Sequence, residues 1–143
     1  MQQWLQSTSK SSFAQRLFIN IKSPVKTPYH GLALEDYIFE KKLLKNQEIW
    51  LLWRNYPSVV VGKFQNIWLE TNPQFCRYNG IFSARRSSGG GTVYHDEGNL
   101  NISVFANKES YNRCRNLKRV TKTLEDMGYQ DLSINDRSDI LYA

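Results

Sequence analysis

The sequence predicts an α+β domain. Short runs of β-forming residues recur at 48–53, 59–61, 81–84 and 100–105. Two longer stretches, 32–45 and 109–127, instead repeat apolar residues at helical spacing. Turn-forming residues separate these runs. At 143 residues the chain holds one domain at most. Its 41% hydrophobic and 13% aromatic content is enough for a real core and argues against disorder.

Residues 1–17 are rich in serine, free of acid and sprinkled with Trp4, Leu5, Phe13 and Leu17. That composition fits a mitochondrial transit segment or a disordered N-terminus. The domain proper is read as 18–143, with Phe18 to Ile21 alternating as a first strand. Pro24 to Pro28 reads as a loop. Leu32 to Lys45 reads as a helix, with Leu34, Tyr37, Ile38 and Leu44 near one face. Glu35, Asp36 and Glu40 precede its lysines, an order that suits the helix dipole, and the helix is read as core packing rather than chemistry.

Glu48 to Trp53 and Val59 to Val61 flank Asn55-Tyr56-Pro57-Ser58, a turn in which Pro57 has its φ pre-set. The two runs predict a hairpin. Gly62 to Asn66 is a polar loop. Asn72 and Pro73 supply an N-cap and a first-turn proline for a short helix ending at Asn79-Gly80, with Cys76 inside it as a structural residue. Ile81 to Ala84 and Leu100 to Phe105 are strands. Glu109 to Met127 is the clearest helix, carrying Tyr111, Cys114, Leu117, Val120, Leu124 and Met127 at three- and four-residue steps and stopped by Gly128. Its cations, Arg113, Arg115, Lys118, Arg119 and Lys122, read as a solvated face or as a docking face for an acidic partner. Asp131 to Ile134 and Asp139 to Ala143 read as two more strands.

Composition bounds the function classes. The apolar runs are too short to span a membrane, which predicts a soluble protein. Cys76 and Cys114 form no metal-ligand spacing and read as free thiols in a reducing compartment. The net charge of +6 is uneven: residues 1–34 hold Lys10, Arg16, Lys22 and Lys26 with no acid. The remaining 15 basic and 13 acidic residues balance to +2, so the basicity owes much to the N-terminus and is weak evidence for a nucleic-acid partner.

Ala84 to Asn99 reads Ala-Arg-Arg-Ser-Ser-Gly-Gly-Gly-Thr-Val-Tyr-His-Asp-Glu-Gly-Asn and joins two expected strands. Three successive glycines let a ligand approach the backbone, and successive N–H groups can form an anion-binding nest. Arg85 and Arg86 add forked cationic donors. The loop therefore reads as a site for an anionic small molecule, a nucleotide or acyl-adenylate; a flexible hairpin tip with solvated arginines is the alternative. No Gly-Lys-Ser/Thr follows, and a strand rather than a helix is expected next, which excludes a Walker loop and a dinucleotide fingerprint.

With these residues in view, the chain resembles the lipoate–protein ligase and mitochondrial lipoyltransferase family over Phe18 to Leu141. The Ala84–Asn99 stretch is similar to the family's lipoate-binding signature nearly residue for residue. Leu32 to Asp36, Trp53 to Asn55, Ser58 to Gly62 and Gln65 to Glu70 agree as well, with Ile67 where proline is common. The resemblance implies a mixed, largely antiparallel sheet packed with helices, the class II synthetase-like biotin/lipoate ligase catalytic domain, here incomplete. It implies protein lipoylation in the mitochondrial matrix. A lipoyl or octanoyl group would pass through an acyl-AMP to a lysine of a lipoyl-carrier domain. The carriers would be E2 subunits of 2-oxoacid dehydrogenases or the glycine-cleavage H protein, and the enzyme a monomer. The implied cofactors are lipoyl-AMP, or lipoate with ATP and Mg²⁺.

By the same resemblance Arg86, Ser88, Gly90, Gly91, Thr92, Val93 and Tyr94 hold the nucleotide and acyl carbonyl. Trp53, Val60 and Val61 are candidates to line an apolar slot. His95 either contacts the ligand or pins the loop through a hydrogen bond. Asp96 and Asn99 brace the turn, Asn101 and Ser103 extend the polar wall, and Asp139 is a candidate near a metal. The family's catalytic lysine lies in a Gly/Arg-x-Lys-x-Ser-Gly stretch expected beyond Ala143, and no Lys-x-Ser-Gly occurs in these residues. The expected alternative function is a non-catalytic, truncated binding module of the same family.

Overall fold

A computed structural model of the protein describes residues 15–20, 26–41 and 47–142. Most of the expected transit segment lies outside them. The chain divides into two compact units, Met1–Asn107 and Lys108–Ala143, described here separately.

The first unit runs β1 (Gln15–Asn20), α1 (Pro28–Glu40), β2 (Gln47–Trp53), β3 (Ser58–Val61), α2 (Ile67–Glu70), α3 (Pro73–Tyr78), β4 (Phe82–Arg85), β5 (Val93–His95) and β6 (Asn101–Phe105). One sheet has the order β1-β2-β6, with β1 parallel and β6 antiparallel to the central β2. The other has the order β4-β3-β5, again with one parallel and one antiparallel neighbour of the central strand. The mixed α+β architecture is the expected one.

The expected β2–β3 hairpin does not form, because the two strands belong to different sheets. Both are central, with β2 burying Ile49, Trp50, Leu51 and Trp53, and β3 burying Ser58, Val60 and Val61. A strand buried on both faces reads as an uninterrupted apolar run, and Val59-Val60-Val61 is such a run. The connection between them is tied to other segments. Tyr56 N donates to Lys26 O (2.6 Å), and Phe82 N donates to Pro57 O (2.9 Å).

The core joins Leu32 and Ile38 of α1 to Ile49, Leu51 and Trp53 of β2, Val60 of β3 and Ala84 of β4, with Leu34 and Phe105 packed against it. Helix α1 starts at Pro28, not Leu32, since proline suits a first helical position, and has Lys41 as C-cap; Leu44 and Lys45, expected in the helix, lie outside the described residues. No acid therefore lies in its first turn and no base in its last, so the expected dipole pattern is absent. Tyr37, expected on the packed face, is exposed. Helix α2 was not legible as a helix; Asn66 caps it, accepting from Trp68 N (3.1 Å). Helix α3 follows expectation: Asn72 accepts from Phe75 N (3.0 Å), Gly80 has φ 66°, and Cys76 is buried. Strand β1 takes in Gln15 to Leu17, residues the sequence reading assigned to the leader.

The second unit holds α4 (Arg113–Asp126) and an antiparallel pair, β7 (Leu132–Ile134) and β8 (Ile140–Tyr142). Asn112 caps α4, accepting from Arg115 N (2.8 Å), which moves the start past Glu109. Leu117, Val120 and Leu124 are half-buried, while Tyr111, Cys114 and Met127 are exposed. Among its cations, Lys122 pairs with Asp126, Arg119 donates to Asn116 and Arg113 to Arg137 O.

Candidate functional site

The glycine loop is stitched to its surroundings rather than waving at a hairpin tip. Arg85 and Arg86 follow one another at the end of β4, and the alternation of a strand sends them to different segments. Arg85 Nη1 donates to the carbonyls of Gly62 (2.8 Å), Lys63 (3.1 Å) and Gln65 (2.7 Å). Arg86 donates to the carbonyls of Gly89, Gly91 (2.7 Å) and Val60 (3.2 Å). Lys63 N donates to Ser88 O (2.9 Å), and Ser87 Oγ donates to Asp36 Oδ2 of α1 (2.7 Å). Gln65 Oε1 accepts from Gly62 N (2.8 Å) and lies 2.9 Å from Thr92 Oγ1, which is also 3.0 Å from Glu70 Oε2.

Two glycines are required by this packing. A Cβ on Gly62 would stand 2.0 Å from Gly90 O, well inside contact distance. Gly90 itself has φ 98°, in the left-handed region. Gly89 and Gly91 have open space where a Cβ would go, so their backbone is the approachable part of the loop.

Beside the loop lies a cavity of about 300 Å³. Leu32, Trp53, Val60, Val93 and Ile102 form its apolar wall, and Glu35, Arg86, Ser88, His95, Asn101 and Ser103 its polar one. The size sits at the small end of ligand sites, and a few polar groups on an apolar wall are their usual make-up. Trp53 Nε1 donates to Ser103 Oγ (3.1 Å), and Ser103 Oγ donates to Glu35 Oε1. Burial pushes the Glu35 carboxyl above its ordinary range, with the hydrogen bond from Ser103 opposing. Burial also lowers the His95 imidazole, and the Arg86 guanidinium lowers it further. The Trp53 and His95 rings meet edge to face, with centroids 6.5 Å apart. Asn101 Oδ1 accepts from Asn99 Nδ2 (3.1 Å), while its own buried Nδ2 has no partner among the described residues.

Of the residues singled out from sequence, Trp53, Arg86, Ser88, Val93 and His95 line the cavity, and so do Val60, Asn101 and Ser103. Gly90, Gly91 and Thr92 lie in the adjoining loop and Val61 is fully buried; none of them lines the cavity. Tyr94 is 54% exposed, as strand alternation between the lining residues Val93 and His95 requires. Asp96 and Asn99 brace the turn: Asp96 Oδ1 accepts from Gly98 N (2.9 Å) and Asp96 O from Asn99 N (3.1 Å).

Asp139 belongs to the second unit, where its carboxylate accepts from Asn135 Nδ2 (3.1 Å). Among the described residues no group of three or more His, Cys, Asp or Glu side chains could hold a metal ion. Sequence reasoning missed Leu32, Glu35 and Ile102. The first two stand three apart on one helix, a spacing that puts both on the same face and could have flagged Glu35 as inward.

The chain matches the family model for the lipoyl protein ligase A/B catalytic domain over residues 27–143. It is 45% identical over 114 residues to the mitochondrial lipoyl amidotransferase of Homo sapiens, a match that covers 79% of this chain and 31% of that protein. Among solved structures it is similar to P. falciparum LipL1 in complex with lipoate, with a TM-score of 0.78 and 31% identity, covering 89% of this chain and 40% of that one. It is also similar to a lipoate-protein ligase A bound with ATP, with a TM-score of 0.71 and 27% identity, covering 88% and 51%. The chain thus spans about a third of the length of the human relative.

Proposed function

Since the chain belongs to the lipoyl protein ligase A/B catalytic-domain family, we propose that its cavity binds the acyl group of a lipoyl or octanoyl adenylate. Transfer of that group to a lysine of a lipoyl-carrier domain is then the activity of the whole protein. The observation that carries this reading is the junction of an apolar slot with a glycine loop. Trp53, Val60, Val93 and Ile102 offer the acyl chain an apolar wall. The open backbone at Gly89 and Gly91 and the Arg86 cation stand at its edge, where an anionic phosphate belongs. At the same wall Glu35 accepts from Ser103, and burial lowers the His95 imidazole, which favours its neutral form.

In the transfer, an amine nitrogen of the carrier lysine attacks the acyl carbonyl. The new bond is an amide, the acyl–oxygen bond to phosphate breaks, and AMP leaves with the electron pair while the amine proton passes to solvent. This chain's part is to bind and orient the acyl-adenylate. Arg86 can meet the phosphate once it exchanges a loop carbonyl for it. The adenylate arises from lipoate with ATP and Mg²⁺ or arrives preformed. The described residues offer no cluster for the metal, so no step is assigned to it. The proposed carriers are E2 lipoyl domains and the glycine-cleavage H protein, and the proposed location is the mitochondrial matrix.

A second reading is a binding module without transfer, which the same cavity and glycine loop would serve. Calorimetric titration with a non-hydrolysable lipoyl-adenylate analogue, followed by an assay of transfer to an isolated lipoyl domain, separates the two. Binding with transfer supports the enzyme, and binding alone supports the module. No binding by the folded chain overturns both.

A further inference from the structure

Asn55 lies between β2 and β3 and is not among the residues that line the cavity. It has no exposed surface at all, and Oδ1 finds no partner among the described residues. A wholly buried amide costs stability unless it is hydrogen bonded, so its placement calls for a role. Its Nδ2 stands 3.4 Å from His95 Nδ1.

An amide nitrogen can only donate. With the amide in this orientation the imidazole accepts at Nδ1, and the proton of the neutral ring sits on Nε2. A second proton would set an Nδ1–H against the amide's own N–H groups, beside the Arg86 cation. Three groups hold the ring: Asn55 at Nδ1, the Trp53 ring edge to face, and β3, where Ser58 is paired opposite His95. His95 lines the cavity, and with Nδ1 turned to the buried amide, Nε2–H is the ring donor left for a ligand there. The other charged groups near the ring do not compete. Glu35, also on the cavity wall, accepts from Ser103, and Asp96 Oδ1 accepts from Gly98 N; neither carboxylate is hydrogen-bonded to the ring among the described residues.

We propose that Asn55 is a positioning residue that holds His95 as its Nε2–H tautomer, so that the cavity presents an N–H donor to a hydrogen-bond acceptor of the bound acyl-adenylate. The ligand half of this inference rests on the function proposed above; the tautomer does not.

The test is a long-range ¹H–¹⁵N correlation spectrum of the uniformly labelled full chain, recorded through the ordinary histidine pKa of about 6.5. The chain has two histidines, and His30→Gln identifies the second set of signals. The expected spectrum shows His95 Nε2 protonated and Nδ1 bare. Asn55→Asp, almost unchanged in size, replaces the donor with an acceptor. It should move the proton to Nδ1 and raise the titration by about one pH unit or more, the shift an adjacent carboxylate gives. Affinity for the non-hydrolysable lipoyl-adenylate analogue should fall about tenfold, as for one lost hydrogen bond.

A wild-type Nδ1–H tautomer, or an imidazolium at neutral pH, overturns the inference. So does a folded Asn55→Asp with an unchanged spectrum; where that variant does not fold, the wild-type spectrum decides. A wild-type chain with the expected tautomer that ignores the analogue overturns the ligand reading instead.

Discussion

Glu35 shows how far a single residue's meaning depends on its surroundings. By sequence it is one of two adjacent acids on a helix, suited to a surface. In the fold it lines the cavity and accepts from Ser103, which in turn accepts from Trp53. Burial raises its folded pKa above the ordinary 4.5. Between those two values the native state holds more protons than the unfolded chain, so stability falls as pH rises through that window. Glu35→Gln keeps a hydrogen-bonding side chain and removes the ionisation. Urea midpoints measured at a series of acidic to neutral pH values should lose this slope in the variant, and an unchanged slope would show that Glu35 is not the group responsible. His95 acts in the opposite sense. Its folded pKa lies below 6.5, so its contribution is present above that value and is lost as pH falls toward the depressed one.

Among the elements, the glycine loop and the Gly62–Asn66 loop act as one body. The contacts of Arg85 with the Gly62, Lys63 and Gln65 carbonyls, those of Arg86 with the Gly89 and Gly91 carbonyls, the Ser88–Lys63 bond and the Thr92–Gln65 pair run within or between them. Gly62→Ala would drive a methyl into Gly90 O, 2.0 Å away, and backbone cannot swing aside like a side chain. We expect a loss of about 1–3 kcal/mol, the range for overpacking a filled site, together with loss of adenylate-analogue binding. Gly91→Ala, with open space around it, should unfold like the wild type and weaken only binding. Equal stability of the two variants would mean that the loops do not pack as described. Gly90, at φ 98°, is unsuited to this test because a side chain there strains the backbone wherever the ligand sits. Local signals served well for the asparagine-capped α3 and for the end of α4 at Gly128, since caps act within one turn. They failed for β5, whose three residues were read as loop because only pairing with β3 makes them a strand.

For the molecule as a whole, stability of the first unit turns on β2. Leu51, at its centre, is 0% exposed and lies in a cluster with α1, β3 and β4. Leu51→Ala should cost roughly 2–5 kcal/mol, a large part of the 5–15 kcal/mol typical of a domain. Urea unfolding followed by tryptophan fluorescence would read this through Trp50 and Trp53, and a loss below about 1 kcal/mol would mean that this core is not what holds the unit together. The sequence by itself determined the α+β class, the two longest helices, the family and most of the lining residues, because periodicity, caps and a motif of contiguous residues are written along the chain. Only the tertiary structure decided which sheet each strand joins, that α1 turns Glu35 inward, that Tyr94 faces away from the cavity and that a buried Asn55 meets His95. Those are long-range contacts: Glu35 meets Ser103, and Asn55 meets His95, across spans of sequence that carry no local trace of the pairing.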